Sequence, residues 1–152
     1  MYEFKEGCFL PSSDPDSVVH GWDWPVCYID WHCANAYAKW LSEKSGLSWR
    51  LPDDLEWEKA ARGADERLYP WGNRFDFAFC CIEDSQEEKS PVPVDEFPYD
   101  ESPYGVRHMA GNMSEWTDSF WRPNGPELED NVPIWDDEEY EEDFDKVIRG
   151  GF

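Results

Sequence analysis

Ten tryptophans in a chain of 152 residues constrain what it can fold into. Leucine, isoleucine, valine and phenylalanine are sparse, and a formal net charge of −22 would by itself point to disorder. Disordered chains are poor in aromatics, however, and here seven tyrosines and nine phenylalanines accompany the tryptophans. A buried ring system hides roughly 150–250 Å² of surface. The expectation is one compact, loop-rich domain with an aromatic core and an acidic surface.

The charge balance, 13 Lys+Arg against 35 Asp+Glu, excludes several partners. Nucleic-acid binding needs a basic stripe, and an anionic membrane surface repels an acidic chain. Multivalent cations are the class that such a field concentrates. No apolar run approaches the roughly 20 residues of a spanning helix. Met1 leads into Tyr-Glu-Phe-Lys-Glu without the basic and apolar regions of a secretory leader, so a cytoplasmic protein is expected. The oligomeric state stays open.

The five cysteines, Cys8, Cys27, Cys33, Cys80 and Cys81, are odd in number and irregular in spacing. No C-x-x-C pair occurs, so neither a zinc ribbon nor a thioredoxin-type site is indicated. Reduced, partly buried thiols are the expectation.

Residues 1–24 carry little periodicity, and Pro11–Asp16 is turn chemistry. The apolar run Pro25–Ile29 predicts a short strand. Asp30 then reads as an N-cap for a helix over Trp31–Ser45, with Ala34, Tyr37, Ala38 and Leu41 as its inner stripe and Gly46 as its stop. A second helix follows Leu51-Pro52. Asp53 caps it, Glu56 completes a relative of the capping box, Trp57, Ala60 and Ala61 face inward, and Gly63 ends it. Beyond it lie a Tyr69–Asn73 turn, a Pro-rich polar stretch over 83–103, and short strands and turns from Tyr104 to Trp121. Residues 127–145 hold eleven acidic side chains and no basic one, and Val147 begins a strand-like run to the last residue, Phe152.

Few motifs carry chemistry on their own. His20, His32 and His108 are the only histidines, and His32 reads as a partly exposed helix residue. The acidic run Asp136–Asp145 lacks the order and central glycine of an EF-hand, so a solvated loop is the better reading. Gly111-Asn112-Met113-Ser114-Glu115-Trp116 is more informative. Glycine permits a tight turn that exposes carbonyl oxygens, and a carboxylate a few residues later can close an oxygen cage around a hard cation. From these residues alone, a structural turn anchored by Trp116 is the stronger reading.

The order of motifs nevertheless resembles a known family. Pro25-Val26 precedes Trp31 and a helix through Ala36-Tyr37 and Trp40-Leu41. Arg50-Leu51-Pro52 precedes Glu56-Trp57-Glu58, and Ala60-Ala61-Arg62-Gly63 precedes Tyr69-Pro70-Trp71-Gly72. Ser102-Pro103-Tyr104-Gly105-Val106 leads to Met109-Ala110-Gly111-Asn112 and Glu115-Trp116, and then comes Arg149-Gly150-Gly151. Together they resemble the formylglycine-generating enzyme (sulfatase-modifying factor) domain over about residues 25–151, leaving 1–24 as a poorly matched N-terminal segment.

The resemblance implies an α+β, C-type-lectin-like fold with two helices, short antiparallel strands and much irregular loop. It implies a strand-to-helix turn at Arg50–Trp57 and a core-facing turn at Tyr69–Gly72. Active members oxidise a sulfatase cysteine to formylglycine with a copper(I)-binding cysteine pair beyond the R-G-G motif. Only Phe152 follows Gly151 here, and none of the five cysteines stands at those positions. The chain therefore reads as truncated at its C-terminal end and inactive as written, with copper only in a longer parent protein. The family also binds calcium beside G-N-x-x-E-W. Carried over, the carbonyls of Gly111 and Met113 and the carboxylate of Glu115 are ligands, while His108 stands where the family has Asp or Asn. A second family calcium site, near Phe79–Cys81, lacks its asparagine and is not carried over.

Three functions follow from the resemblance. The chain is part of a sulfatase-modifying oxidase, or a non-catalytic lectin-like module that binds a protein or peptide ligand, as in kinase-associated or retroelement-diversified domains, or a hercynine-oxygenase-like domain. The third ranks last, because that enzyme takes its iron-binding histidines largely from an added helical domain.

Overall fold

The computed structural model describes residues 23–86, 90–130, 132–134 and 146–151 with their side chains, and the backbone of 2–5 and 8–11. Most of the Pro11–Asp16 turn, His20, the side chain of Cys8, the acidic run 136–145 and Phe152 lie outside the described residues.

In chain order the elements are β1 (Tyr2–Lys5), β2 (Cys8–Pro11), α1 (Trp31–Ser45), α2 (Asp54–Arg62), β3 (Glu115–Phe120), β4 (Glu127–Glu129), β5 (Val132–Ile134) and β6 (Lys146–Arg149). The strands pair antiparallel in twos, β1 with β2, β4 with β5 and β3 with β6. This is the mixed arrangement of two helices and short antiparallel strands that was expected. The β1–β2 pair falls in a segment without a periodic signal in its residues.

Local chemistry sets both helices. Asp30 accepts from the Cys33 amide at 2.7 Å, and Gly46 closes α1 in the left-handed region at φ 72°. Asp53 and Glu56 form a full capping box, with Glu56 N–H to Asp53 Oδ1 at 2.7 Å and Asp53 N–H to Glu56 Oε2 at 2.9 Å. Ala61 is the buried residue of α2, and Trp57 and Ala60 are half-buried beside it. On α1 the inner stripe is narrower than expected. Ala38 is buried, whereas Tyr37 faces solvent and packs on Trp40 with ring centroids 5.5 Å apart.

Two further expectations are corrected. Pro25–Ile29 is not a strand. Tyr28 takes φ 59°, which breaks the extended backbone, and Pro25 has no N–H to give a ladder. Nor do aromatic rings form the core. Among the described residues the buried apolar side chains are Ala38, Ala61, Pro70, Cys80, Cys81, Val92 and Met109, and no Phe, Trp or Tyr ring is buried. The rings lie in half-covered ladders instead. Tyr69 stacks on Trp71 at 5.3 Å, Trp71 meets Phe79 edge-on at 5.7 Å, and Phe79 meets Tyr99 at 4.8 Å. Indole N–H groups hold this intermediate depth by bonding backbone carbonyls, as Trp71 does with Arg74 at 2.8 Å. The Tyr69–Gly72 turn is closed by reciprocal amide–carbonyl bonds of 2.9 and 3.0 Å, with Pro70 buried.

Strand β3 is the hub. The Trp31 indole of α1 donates to the Thr117 carbonyl at 3.1 Å. The Asp54 amide, at the start of α2, donates to Ser119 Oγ at 2.9 Å, and the Asp118 amide donates to the Pro52 carbonyl at 2.8 Å. Thr117 and Ser119 are buried, with Thr117 Oγ1 donating to the Val147 carbonyl at 2.9 Å. The β3–β6 register runs from Glu115↔Arg149 and Trp116↔Ile148 to Phe120↔Lys146, with an irregularity between Trp116 and Phe120. That register places Gly150 next to the segment that carries Glu115.

Candidate functional site

The turn leading into β3 is built on buried polar groups. Asp100 is fully buried and accepts backbone N–H groups from Ala110, Gly111 and Met109. Its oxygens stand 3.1 and 3.2 Å from the Ala110 nitrogen. Burial pushes its carboxyl up to about 6 against the pull of those amides. Gly111 passes so close to Cys81 that a β-carbon would stand 2.4 Å from the Cys81 carbonyl oxygen. Asn112, 2% exposed and at φ 72°, bonds both backbone groups of one residue. Its Oδ1 accepts from Val92 N–H at 2.9 Å, and its Nδ2 donates to the Val92 carbonyl at 3.1 Å. The Asn112 amide donates to Cys81 O at 2.7 Å. Asparagine suits this left-handed position.

This scaffold aims two oxygens at one place. A β-carbon built on Gly150 would lie 2.5 Å from Glu115 Oε2 and 2.9 Å from the Met113 carbonyl oxygen. Glu115 Oε2 is buried and has no hydrogen-bond partner among the described residues. Burial pushes the Glu115 carboxyl up to about 8. The Asp100 charge adds to the rise, and a hydrogen bond from the Trp57 side chain opposes it. The structure thus brings together two of the three residues singled out in the sequence, Met113 and Glu115. Gly111 lies in the same turn, where its carbonyl accepts the Met113 N–H at 3.0 Å.

His108 is buried at φ 58°, with Nε2 3.2 Å from the Val94 carbonyl and Nδ1 unpaired among the described residues. Burial lowers its pKa, which favours the neutral ring. Among the described residues no group of three His, Cys, Asp or Glu side chains gathers to hold a metal. Any hard cation here would rest on carbonyls and one carboxylate. An orphaned buried carboxylate oxygen and a carbonyl converging beside a glycine fit such an ion.

The thiols are dispersed in character. Cys80 and Cys81 are buried, and desolvation raises both, Cys80 to about 11. Cys33 is exposed beside Asp30, whose hydrogen bond and charge raise its thiol. Cys27 is half-buried and likewise raised by burial. Next to the turn runs an apolar cleft of about 540 Å³, walled by Val26, Ile29, Trp57, Met109, Met113 and Trp116. That volume falls within the range of small-ligand sites.

Comparison with known proteins bears on this arrangement. The family described as "Sulfatase-modifying factor enzyme 1-like domain" matches residues 2–152. The chain belongs to the sulfatase-modifying-factor family. It is 32% identical over 124 residues to the formylglycine-generating enzyme of Mus musculus, covering 73% of this chain and 31% of that protein. It is 30% identical over 154 residues to the formylglycine-generating enzyme of Thermomonospora curvata, covering 93% of this chain and 48% of that one. It is also 31% identical over 128 residues to the inactive C-alpha-formylglycine-generating enzyme 2 of Mus musculus, covering 78% and 39%. The chain spans less than half the length of these relatives. Within a sulfatase-modifying-factor domain, the Gly111–Glu115 turn and Gly150 now have a stated geometric relation. Asp100, Asn112 and Gly150 were not singled out as site residues from the sequence. Asn112 and Gly150 stood inside quoted motifs, whereas Asp100 had no periodic or motif signal at all.

Proposed function

We propose that this chain is the calcium-dependent recognition part of a formylglycine-generating-type domain, built on a C-type-lectin-like scaffold, and that it carries out no oxidation by itself. The observation that carries the reading is the orphaned Oε2 of Glu115, set with the Met113 carbonyl around one point beside Gly150. Burial of that one carboxylate oxygen without a partner costs free energy that a bound cation offsets. Met113 and Glu115, with the Gly111 carbonyl, would hold calcium, which supplies charge neutralisation and rigidity there and no redox chemistry. Loops on such a scaffold carry binding, and the apolar cleft beside the turn offers a protein or peptide ligand a surface. Among the described thiols, the adjacent pair Cys80 and Cys81 is buried and raised by desolvation, which supports the non-oxidising half of the reading, since copper(I) activation of oxygen needs accessible thiolates. The likeness to a protein named as inactive agrees with it.

Two measurements test the reading. Calcium must raise the melting temperature, because binding to the folded state alone stabilises it, and Glu115→Gln must abolish that rise. No shift at millimolar calcium removes the cation site. Incubation of this chain with a cysteine-containing sulfatase peptide, copper(I) and oxygen must leave the thiol unconverted. Appearance of an aldehyde in the peptide overturns the non-oxidising assignment.

A further inference from the structure

The two halves of Asp100 do different things. Its backbone closes a hairpin. The Asp100 carbonyl accepts the His108 N–H at 2.9 Å, the Ser102 N–H meets the Val106 carbonyl at 2.8 Å, and Glu101 bridges to Arg107 between them. Those bonds join the two arms without the side chain. The carboxylate reaches past them, to the amides of Ala110, Gly111 and Met109.

Burying that charge is unfavourable. Asp100 is 0% exposed, and among the described residues no ion pair includes Asp100 or Glu115. Amides offset the burial of a carboxylate only in part. The Asp100 charge is also felt by Glu115, a second carboxylate with a buried oxygen. Two like charges so placed call for a positive one.

A trans peptide turns its carbonyl opposite to its N–H. With the Gly111 amide aimed at Asp100, the Ala110 carbonyl faces the other way, toward the Gly150–Gly151 strip. A β-carbon on Gly151 would lie 3.1 Å from the Ala110 oxygen, just as one on Gly150 would meet Glu115 Oε2 and the Met113 oxygen. Three oxygens of the 110–115 turn thus line the glycine pair, and Asp100 holds the near end of that turn from behind.

We propose that Asp100 is the positioning residue of this cradle: it holds the amide side of the turn, so that the oxygens converge beside Gly150 before any cation arrives, and it sets a second negative charge behind them. This rests on the calcium reading above and adds a residue to it. Asp100 touches no ion itself and acts through the peptide units of 108–111. Loss of a group that orients metal ligands in this way lowers affinity by about 10–100-fold.

Terbium(III) is the probe, because the Trp57 side chain bonds Glu115 and so stands close enough to sensitise its emission. Calcium then competes for the site, and the competition gives its Kd. Asp100→Asn is expected to weaken calcium by about 10–100-fold, whereas Gly125→Ala, which lowers stability at another turn, leaves the affinity unchanged. Parent-like calcium binding by Asp100→Asn overturns the assignment. An equal loss in Gly125→Ala overturns it too, since weakened binding would then follow any loss of stability. Absence of calcium-displaceable emission in the parent removes the calcium reading itself, and this assignment with it. The parent also supplies a measure that does not depend on whether Asp100→Asn folds. Amide hydrogen exchange at residues 109–111 is expected to be slow in chelator and little changed by calcium. Fast exchange that slows only when calcium is added means that the ion arranges the turn, and Asp100 loses the role.

Discussion

Gly150 and Glu115 stand so close that a β-carbon on the glycine would lie 2.5 Å from the carboxyl Oε2. Gly150 also has φ +83°, where an L side chain is strained by about 1–2 kcal/mol. Gly150→Ala is therefore expected to cost about 3 kcal/mol or more in denaturant unfolding. Gly125 has a similar φ of +72°, but a β-carbon there would meet nothing within 4 Å, so Gly125→Ala should lose only about 1 kcal/mol. Equal costs at the two sites would mean that the crowding at Gly150 is relieved without energetic consequence.

The stability of the calcium-free protein should fall as pH rises toward 8. Glu115 is pushed up to about 8 and Asp100 to about 6, both mainly by burial. In the unfolded chain such carboxyls titrate near 4. Between those values the folded state binds more protons than the unfolded state, so the stability each contributes is full below about pH 4 and is lost as pH passes the folded value. One such group gives a slope of at most about 1.4 kcal/mol per pH unit. Glu115→Gln should flatten the slope between pH 6 and 8, read from melting temperatures in a chelating buffer. Added calcium should reverse its sign, because the ion requires the ionised carboxylate. Glu56 acts in the opposite sense on the acid side. Its bond to Arg50 holds it down at about 2, so its contribution is present above the unfolded value and disappears as pH falls toward 2.

Arg149 ties β6 to α2. It donates to Asp54 Oδ2 at 2.8 Å and to Glu58 Oε2 at 3.2 Å, with its guanidinium 5.7 Å from the Trp57 ring centroid. These groups are partly exposed, so a double-mutant cycle of Arg149→Met with Asp54→Asn should give a coupling of about 1–2 kcal/mol. A coupling near zero would mean that the ion pair only decorates a packing already fixed by the β3–β6 ladder.

Asn112 should tolerate nothing smaller. Asn112→Ala strips the hydrogen bonds from both backbone groups of the buried Val92, and the expected loss is about 2–4 kcal/mol. Asn112→Asp keeps an acceptor for the Val92 N–H but cannot donate to its carbonyl, so it should fall between the parent and the alanine variant at neutral pH. A wild-type midpoint for Asn112→Ala would refute the energetic role of this bond pair.

The helices were legible because their signals are local. Asp30, Gly46, Asp53, Glu56 and Gly63 act within one turn of where they stand. Met113 and Glu115 were legible only through a motif, since nothing within Gly111–Trp116 reveals that Gly150 completes the cradle. That proximity comes from the pairing of Glu115 with Arg149, a contact between distant parts of the chain. Asp100 was invisible for the same reason: its partners are backbone amides of 109–111, which carry no side-chain pattern. The aromatic core failed as an expectation because ring count measures available area and not depth. Trp31, Trp71 and Trp116 each commit an indole N–H to a carbonyl and stop at the surface layer.

The β3–β6 pairing has an evolutionary consequence. Because Glu115↔Arg149 and Phe120↔Lys146 hold β3 against β6, the β4–β5 excursion, Glu127–Glu129 with Val132–Ile134, can be rewritten without touching the oxygen cradle. Doubling the length of such an excursion adds only about 0.6 kcal/mol of closure entropy. Selection can therefore lengthen, recharge or exchange it as a graft, trying new recognition surfaces on an inherited framework.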